Sequence, residues 1–339
     1  MLKKIIEVLK EYSGSYVSGE SLAELSGITR AGIWKQINQL REMGYKIDSS
    51  SRKGYCLLET PDLHPFEIVD GLTTRLFGRE VFFQAEVDST NRWAKRLAAE
   101  GAAEGTLVLA ESQTQGRGRL GRSWSSVPGK GLWFSMILRP KINSAELAGM
   151  TILTAVSMAQ AIIDVTGIQV LIKWPNDLVF KGRKLAGILA EVNGEADLVN
   201  YLIIGLGLNV NHEEDDFPEE LKGLATSLRM IKGTELPRRP TLQEFLRIFE
   251  GNYQALSTAG LSDIINYAKL HSATLGKMVR INQGYNRTLI GEAVDLDYDG
   301  SLWLKEPSGE IVHVYAGEIM RNTEPKGEKR TDEHGRKNI

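Results

Sequence analysis

The segment from Val81 to Val210 carries six patterns typical of β-strands, interrupted by only two helical patterns. The strand patterns lie at Val81–Val87, Thr106–Glu111, Leu132–Leu138, Val170–Trp174, Leu185–Val192 and Val199–Leu206. The helical patterns cover roughly Asn91–Glu100 and Ala145–Val165. Strands that cluster with so few helices do not form regular alternating units of strand, helix and strand. They predict an α+β domain built on a sheet.

The chain has 339 residues, which is long enough for two or three domains. Residues 1–60 have the patterns of three helices and a hairpin, and two further helices follow the sheet segment, at about 241–256 and 261–268. Residues 276–320 show four or five short strand patterns joined by turns, which predict a small β-barrel. The expected divisions are a first domain at 1–62, a second at 63–272, a third at 273–322 and a disordered tail at 323–339. Residues 61–65, at the boundary of the first two domains, are expected to be a linker.

Composition excludes several classes of protein. The chain is 42% hydrophobic and 25% charged, and its 41 basic and 43 acidic residues exclude a protein that is basic throughout. The single cysteine, Cys56, excludes an internal disulfide and a multi-cysteine zinc site, and it suits a reducing cytoplasm. Charges come too early for a signal peptide, and the longest apolar stretch, Leu147–Ile163, is shorter than a bilayer requires. We therefore expect a cytoplasmic protein with no membrane partner.

The N-terminal segment has the spacing of a helix-turn-helix followed by a wing. Gly27 ends the second helix, at roughly Gly19–Ser26, and Thr29 is placed to cap the third, which Gly44 ends. The hairpin after it ends in a basic tip, so the third helix would enter the major groove and the tip would meet phosphates. The residues expected to contact DNA are Thr29, Arg30, Lys35, Gln36, Gln39, Arg52 and Lys53.

Charge weakens this hypothesis, because residues 1–63 hold nine Lys or Arg and eight Asp or Glu, a net charge of +1. One copy of such a module should bind DNA poorly, since phosphate contacts supply most of the affinity. The alternative is a helical domain that binds other proteins. Helix order, wing and basic tip together favour DNA.

The segment from Gln113 to Trp124 interleaves three glycines with three arginines. The glycine spacing satisfies a dinucleotide-binding pattern, but residues 125–131 contain proline and glycine and cannot form the helix that this pattern requires. Glycine lets backbone amides approach an anion, and arginine offers paired donors to phosphate oxygens. We interpret the segment as an anion clamp that is disordered until ligand binds, rather than as a solvated basic loop.

Four further positions suggest chemistry, although each has a plainer structural interpretation. Lys184 precedes small apolar residues, as expected at the mouth of a pocket, but it could be an ordinary lysine at a strand edge. Asp177 follows Pro175 in what resembles a β-turn, Ser89–Asn91 could simply cap a helix, and Asn209 could simply end a strand. The five histidines show no metal-ligand spacing, and we find no hydrolase triad.

Taken together, these motifs resemble those of bifunctional biotin–protein ligases, which also act as biotin operon repressors. The matching segments are Ser89–Asn91, Gly116–Trp124, Lys173–Asp177, Arg183–Leu189 and Gly205–Asn209, and the resemblance extends over almost the whole chain. It implies a winged helix-turn-helix, a mixed-sheet catalytic domain of the biotin/lipoate-ligase type and an SH3-like barrel. It also implies two reactions: biotin and MgATP give biotinyl-5′-AMP, and a lysine of a biotin carboxyl carrier protein then takes the biotinyl group.

The resemblance also implies roles for individual residues. On the biotin side it places Ser89, Thr90, Asn91, Gln113, Gly116, Arg117, Gly118, Arg119, Lys184 and Gly187. On the nucleotide side it places Arg119, Arg122, Trp124, Lys184 and Asn209, with the Trp124 indole as a face for adenine. Lys184 would stabilise charge on phosphate, Arg119 would order the loop, and Asp177 would orient or deprotonate the incoming amine. Mg²⁺ would be held mainly by phosphate oxygens and water, without a dedicated metal site.

For regulation, the resemblance implies a homodimer promoted by biotinyl-5′-AMP and bound to an inverted-repeat operator. Two alternatives stay open at this stage: a lipoate–protein ligase, and a repressor that senses ligand without catalysis. The glycine–arginine segment fits biotin better than lipoate, and the complete set of Arg117, Arg119 and Lys184 argues against lost catalysis.

Overall fold

A computed structural model describes residues 2–140, 147–195, 198–284 and 287–320, and of residues 195 and 198 it describes only the backbone. The expected tail at 323–339 lies outside the described residues, as do the first two positions of the helix expected at Ala145–Val165.

The N-terminal unit consists of three helices and a hairpin. Its elements are α1 (Leu2–Glu11), α2 (Gly19–Ser26), α3 (Arg30–Glu42), β1 (Lys46–Ser50) and β2 (Gly54–Glu59). Gly27 has a φ of +73°, a backbone conformation that glycine adopts without steric cost, and the Thr29 hydroxyl accepts a hydrogen bond from the Gly32 amide at 3.2 Å. Both expectations for this turn are confirmed. A small core holds the unit together, and it includes Ile5, Leu9, Leu22, Ile33, Ile37 and Leu40.

The central unit is built on a seven-stranded sheet. Its strands are β3 (Val81–Val87), β4 (Leu107–Gln113), β5 (Gly131–Leu138), β6 (Leu171–Lys173), β7 (Asp177–Phe180), β8 (Arg183–Glu195) and β9 (Leu198–Asn209). They lie in the order β3-β4-β5-β9-β8-β7-β6, and β3 and β4 are parallel whereas the other neighbouring pairs are antiparallel. The mixed sheet is therefore confirmed. Strand β7 is missing from our sequence prediction, because its four residues directly follow a proline-containing turn and give too short a pattern.

Helices cover both faces of this sheet. They are α4 (Pro65–Val69), α5 (Thr90–Ala99), α6 (Leu147–Thr166), α7 (Leu228–Lys232), α8 (Arg238–Ala259) and α9 (Ser262–Leu270). Ala94 and Ala98 of α5 pack on one face, whereas α6 and α8 fill the main core on the other. Among the described residues, α6 is the one helix long and apolar enough to span a bilayer, and 72% of that stretch is buried in the protein. It is a core helix.

The C-terminal unit is a five-stranded antiparallel sheet. Its strands are β10 (Met278–Asn282), β11 (Thr288–Leu296), β12 (Leu302–Lys305), β13 (Ile311–Val314) and β14 (Glu318–Ile319). The turn between β11 and β12 docks on the central unit, where the Trp174 indole donates to the Gly300 carbonyl at 3.0 Å. The small all-β unit expected over this segment is confirmed.

The segment expected to be a linker is instead part of a packed junction. His64 is buried and caps α4, and the Asp62 carboxylate accepts from the Arg238 guanidinium at 2.9 Å. Next to it, the Glu67 carboxylate is 1% exposed and accepts from Lys10, Arg239 and Tyr45 at 2.7, 2.8 and 2.8 Å. Two prolines suggested a spacer, but the charged partners come from elements far away in sequence. The N-terminal unit is thus anchored by buried charge.

We predict that Glu67→Ala destabilises this junction by about 3 kcal/mol, because it leaves the Lys10 and Arg239 cations without their shared buried carboxylate. The matched control is Glu59→Ala, which removes an exposed ion pair with Lys46 and should cost less than about 1 kcal/mol. Urea unfolding followed by circular dichroism measures both. Equal, small losses in the two variants would show that the junction does not depend on Glu67.

Candidate active site

The floor of the site is a patch of sheet without side chains. Gly187 of β8 pairs directly with Gly207 of β9, and Gly205 lies two residues before Gly207 on the same face. A Cβ atom at Gly207 would lie 2.5 Å from the Trp124 indole, and one at Gly187 would lie 2.8 Å from it. Glycine is therefore required here by close approach, because the Trp124 ring lies directly on the strands.

The glycine–arginine segment forms a hydrogen-bonded hairpin above this floor. The Trp124 amide donates to the Gly116 carbonyl at 2.9 Å, and the Gly118 amide donates to the Arg122 carbonyl at 2.8 Å. A Cβ atom at Gly116 would overlap the Trp124 carbonyl oxygen. The structure describes a folded hairpin with backbone pairing between Arg117 and Ser123, and Arg122 forms an ion pair with Glu318 of β14. That ligand orders this segment stays a prediction.

Three of the residues assigned to the chemistry lie next to one another. Lys184 Nζ is 2.8 Å from Asp177 Oδ1 and 5.3 Å from the Trp124 ring centroid. Arg119 Nη1 is 3.3 Å from Asn176 Oδ1, on the residue before Asp177. Burial lowers the pKa of the Arg119 guanidinium, although the nearby Asp177 and Glu318 carboxylates oppose that shift. Two cations thus converge on one carboxylate, and an added phosphate group would compete for them.

A second group of polar residues lies at the start of α5. The Ser135 hydroxyl donates to Asn91 Oδ1 at 2.6 Å and lies 2.8 Å from Thr90 Oγ1, and the Thr90 hydroxyl donates to Gln113 Oε1. Ser89 is buried at the helix N-cap, yet its hydroxyl makes no capping hydrogen bond. Helix capping therefore does not account for Ser89.

The side-chain amide of Asn91 is already engaged by the protein. Its nitrogen donates to Glu191 at 2.7 Å and to the Leu189 carbonyl at 3.3 Å, while its oxygen accepts from Ser135. Burial alone would raise the pKa of Glu191, but hydrogen bonds from Lys95 and Asn91 and the charge of Arg117 lower it. Sequence reasoning missed Ser135, Glu191 and Glu318, because each is a single polar residue in a strand without a local motif.

An aromatic cluster lies beside the floor. Trp133 packs edge-on against Trp124 with ring centroids 6.2 Å apart and against His212 at 5.7 Å, and His212 stacks on Phe217 at 4.9 Å. Both His212 ring nitrogens and the two indole nitrogens are buried without a hydrogen-bond partner among the described residues. Burial lowers the pKa of His212 to about 4, although Asp216 acts in the opposite direction. Asn209 lies close by in sequence and donates to the Thr226 carbonyl at 3.1 Å.

On the N-terminal unit, the expected DNA contacts lie on α3 and at the wing tip. Arg30, Lys35 and Arg52 are exposed, and Lys53 lies 5.5 Å from the centroid of the Tyr16 ring. Gln36 and Gln39 are partly exposed. Trp34, which is 62% exposed on the same helix, was absent from our sequence assignment.

Comparison with known proteins gives matches along the chain. Family models match for an HTH domain at residues 2–56, the biotin/lipoate A/B protein ligase family at 83–209 and the biotin protein ligase C-terminal domain at 274–321. The bifunctional ligase/repressor BirA of Bacillus subtilis is 38% identical over 94% of this chain and 97% of that protein. Its Escherichia coli counterpart is 30% identical over 95% and 97%.

A solved structure, the biotin protein ligase from Aquifex aeolicus in complex with biotin and ATP, is also similar. It is 31% identical, has a TM-score of 0.62, and the match covers 71% of this chain and 98% of that one.

We predict that His212 makes the fold sensitive to acid. In the unfolded chain the His212 ring is protonated near its ordinary pKa of about 6.5, whereas in the folded protein its pKa is about 4. The free energy of unfolding is therefore unaffected above pH 6.5 and falls by up to about 3 kcal/mol by pH 4. Urea unfolding of wild type and His212→Phe at pH 7.5 and pH 4.5 should show the variant gaining relative stability at the lower pH. A difference between the two proteins that does not change with pH would contradict this.

Proposed function

The chain belongs to the family of bifunctional biotin–protein ligases and repressors, and on that premise we propose that it activates biotin with ATP, transfers it to a carrier protein and represses biotin genes. The observation that carries the ligase assignment is the convergence of Lys184, Asp177 and Arg119 beside a floor made of glycine. Such a site offers alignment and charge neutralisation, and adenylate formation needs no enzyme nucleophile.

In the first reaction, a biotin carboxylate oxygen attacks the α-phosphorus of ATP, and pyrophosphate leaves as biotinyl-5′-AMP forms. Lys184 would exchange its contact with Asp177 for the phosphate oxygens, where negative charge develops. Arg119 and Arg117 would hold the carboxylate and phosphate from the hairpin. We expect Mg²⁺ to be held mainly by phosphate oxygens and water, where it would neutralise further charge.

For the biotin ring we propose a pocket between the start of α5 and the hairpin. Ser89, Thr90 and Gln113 would hydrogen-bond the ring, and the backbone at Gly116, Gly118 and Gly187 would approach it. We assigned Asn91 to the same role, but its amide is occupied by Glu191, Leu189 and Ser135. We therefore propose that Asn91 positions the start of α5 rather than contacting biotin directly.

For the nucleotide we propose that Trp124 presents its ring to adenine, with Arg122 and Asn209 near the phosphates. The Trp124 ring covers Gly187 and Gly207, so we infer that it shifts when biotin reaches the floor. The buried ring nitrogens of the neighbouring aromatic cluster have no hydrogen-bond partner in the described part of the chain, which supports a polar ligand here because buried polar atoms are normally paired.

In the second reaction, the lysine amine of a biotin carboxyl carrier protein attacks the acyl carbonyl, an amide bond forms and AMP leaves. Asp177 lies where it would orient this amine or accept its proton once Lys184 has turned to phosphate. A lipoate ligase is the alternative with related chemistry. The relatives and structures matched over most of this chain are named for biotin, which favours the biotin assignment.

For repression we propose that α3 and the wing bind an operator. The near-neutral charge of residues 1–63 favours two copies on an inverted repeat, as a homodimer promoted by biotinyl-5′-AMP. Unbiotinylated carrier would relieve repression by consuming the adenylate. We propose that both activities take place in the cytoplasm.

We predict that Lys184→Ala lowers adenylate synthesis at least about a hundredfold, because removing one donor from a developing phosphate charge costs roughly 3–4 kcal/mol. Lys181→Ala is the matched control, since it removes an exposed lysine from the same β7–β8 turn. Pyrophosphate release from biotin and MgATP measures both. Near-normal synthesis in Lys184→Ala would remove this residue from the mechanism.

We also predict that biotin plus MgATP shifts operator binding to at least about fivefold lower protein concentration, which is the low end of typical allosteric coupling. The test is operator binding against protein concentration, with and without the two ligands. Lys184→Ala, which forms adenylate at least about a hundredfold more slowly, should show a much smaller shift when binding is measured soon after mixing. Coincident curves for the wild type would exclude biotinyl-5′-AMP as corepressor.

A further inference from the structure

Trp34 is the exposed tryptophan of this protein. Its side chain is 62% exposed on α3, whereas the other five tryptophans are buried or partly buried. Its helix neighbours Ile33 and Ile37 point into the core, and within the described part of the chain no aromatic ring packs on the indole. Tryptophan is one of the residue types enriched among the residues that carry binding energy at interfaces, which directs attention to this exposed indole.

Helical spacing places Trp34 on the side of α3 that also carries Arg30 and Arg41. Arg30 is one turn before it, and Arg41, two turns after it, donates to the Ile47 carbonyl of β1 at 3.0 and 2.7 Å. The Arg30 side chain packs beside Gly19 and Tyr55 at the base of the same hairpin. Trp34 therefore lies in the N-terminal half of the helix, which is the part of a recognition helix that reaches base edges.

The surroundings indicate the chemistry of the partner. Arg30 and Lys35 are exposed next to Trp34 on the helix, and Arg52 and Lys53 are exposed at the wing tip. This arrangement suits a polyanion that offers an apolar group between its charges. In the DNA major groove that group is the thymine methyl.

We propose that Trp34 packs on a thymine methyl group of the operator and so reads sequence. The inference rests on the proposed operator binding. Because the contact is apolar, Trp34 contributes to affinity for one base sequence and leaves the salt dependence, which phosphate contacts set, unchanged.

The test begins with an operator selected from a random duplex library by the full chain in the presence of biotin and MgATP. Each thymine of one half-site is then replaced by deoxyuridine, which removes only the methyl group. Wild type should lose about fourfold in affinity at one such position, as expected for one buried methyl. Trp34→Ala should bind the thymine operator at least about tenfold more weakly and should not respond to deoxyuridine at that position.

Three further variants make the result interpretable. Leu58→Ala removes a similarly exposed apolar side chain, 60% exposed on β2, and should keep both the affinity and the deoxyuridine penalty. Trp34→Phe keeps an aromatic ring and should fall between wild type and Trp34→Ala. Lys53→Ala should reduce the salt slope by about one per contact, whereas Trp34→Ala should leave it unchanged.

The outcomes separate this inference from the function on which it rests. If no sequence is enriched in the selection, operator binding itself is wrong and the proposed contact falls with it. If an operator is found but Trp34→Ala binds it like wild type, keeps every deoxyuridine penalty or changes the salt slope, then Trp34 does not read a thymine methyl.

Discussion

The buried guanidinium of Arg238 joins parts of the chain that are far apart in sequence. Its side chain is 7% exposed and donates to Asp62 before α4, to both oxygens of Glu111 on β4, and to the Gly131 carbonyl at the start of β5. Burial alone would lower the pKa of Arg238, but Glu111 and Asp62 more than offset it and raise that pKa. One cation thereby ties the N-terminal unit to the sheet. The orientation of that unit and the position of the first residue of β5 depend on the same interaction.

Local sequence signals predicted those elements whose conformation is determined by interactions within a few residues. Gly27 and Thr29 define the helix-turn-helix because backbone conformation and capping act within a few residues, and β3 has the bounds that its apolar pattern predicts. The linker was misinterpreted because the arginine partners of Asp62 and Glu67 lie more than 170 residues away. No pattern around either carboxylate indicates that an arginine of α8 will reach it.

The same division applies to the site. Motifs identified the residues Lys184, Asp177 and Arg119, and the structure brings them together. What the sequence did not indicate is which protein groups these side chains contact. Asn91 is held by Glu191, 100 residues away, and Lys184 is neutralised by Asp177 across the β7–β8 hairpin. These pairings depend on the register of strands, which single-residue motifs do not encode.

The glycine floor has a consequence for how this pocket can change. Gly187 and Gly207 present only backbone, and the Trp124 ring already lies against them. Any substitution there adds atoms, so mutation can make the pocket shallower but never deeper. Acceptance of a bulkier ligand must therefore come from the walls, through Trp124 or the start of α5. For laboratory evolution of this protein, the useful variation lies in the residues around the floor, while the floor itself sets a fixed limit on depth.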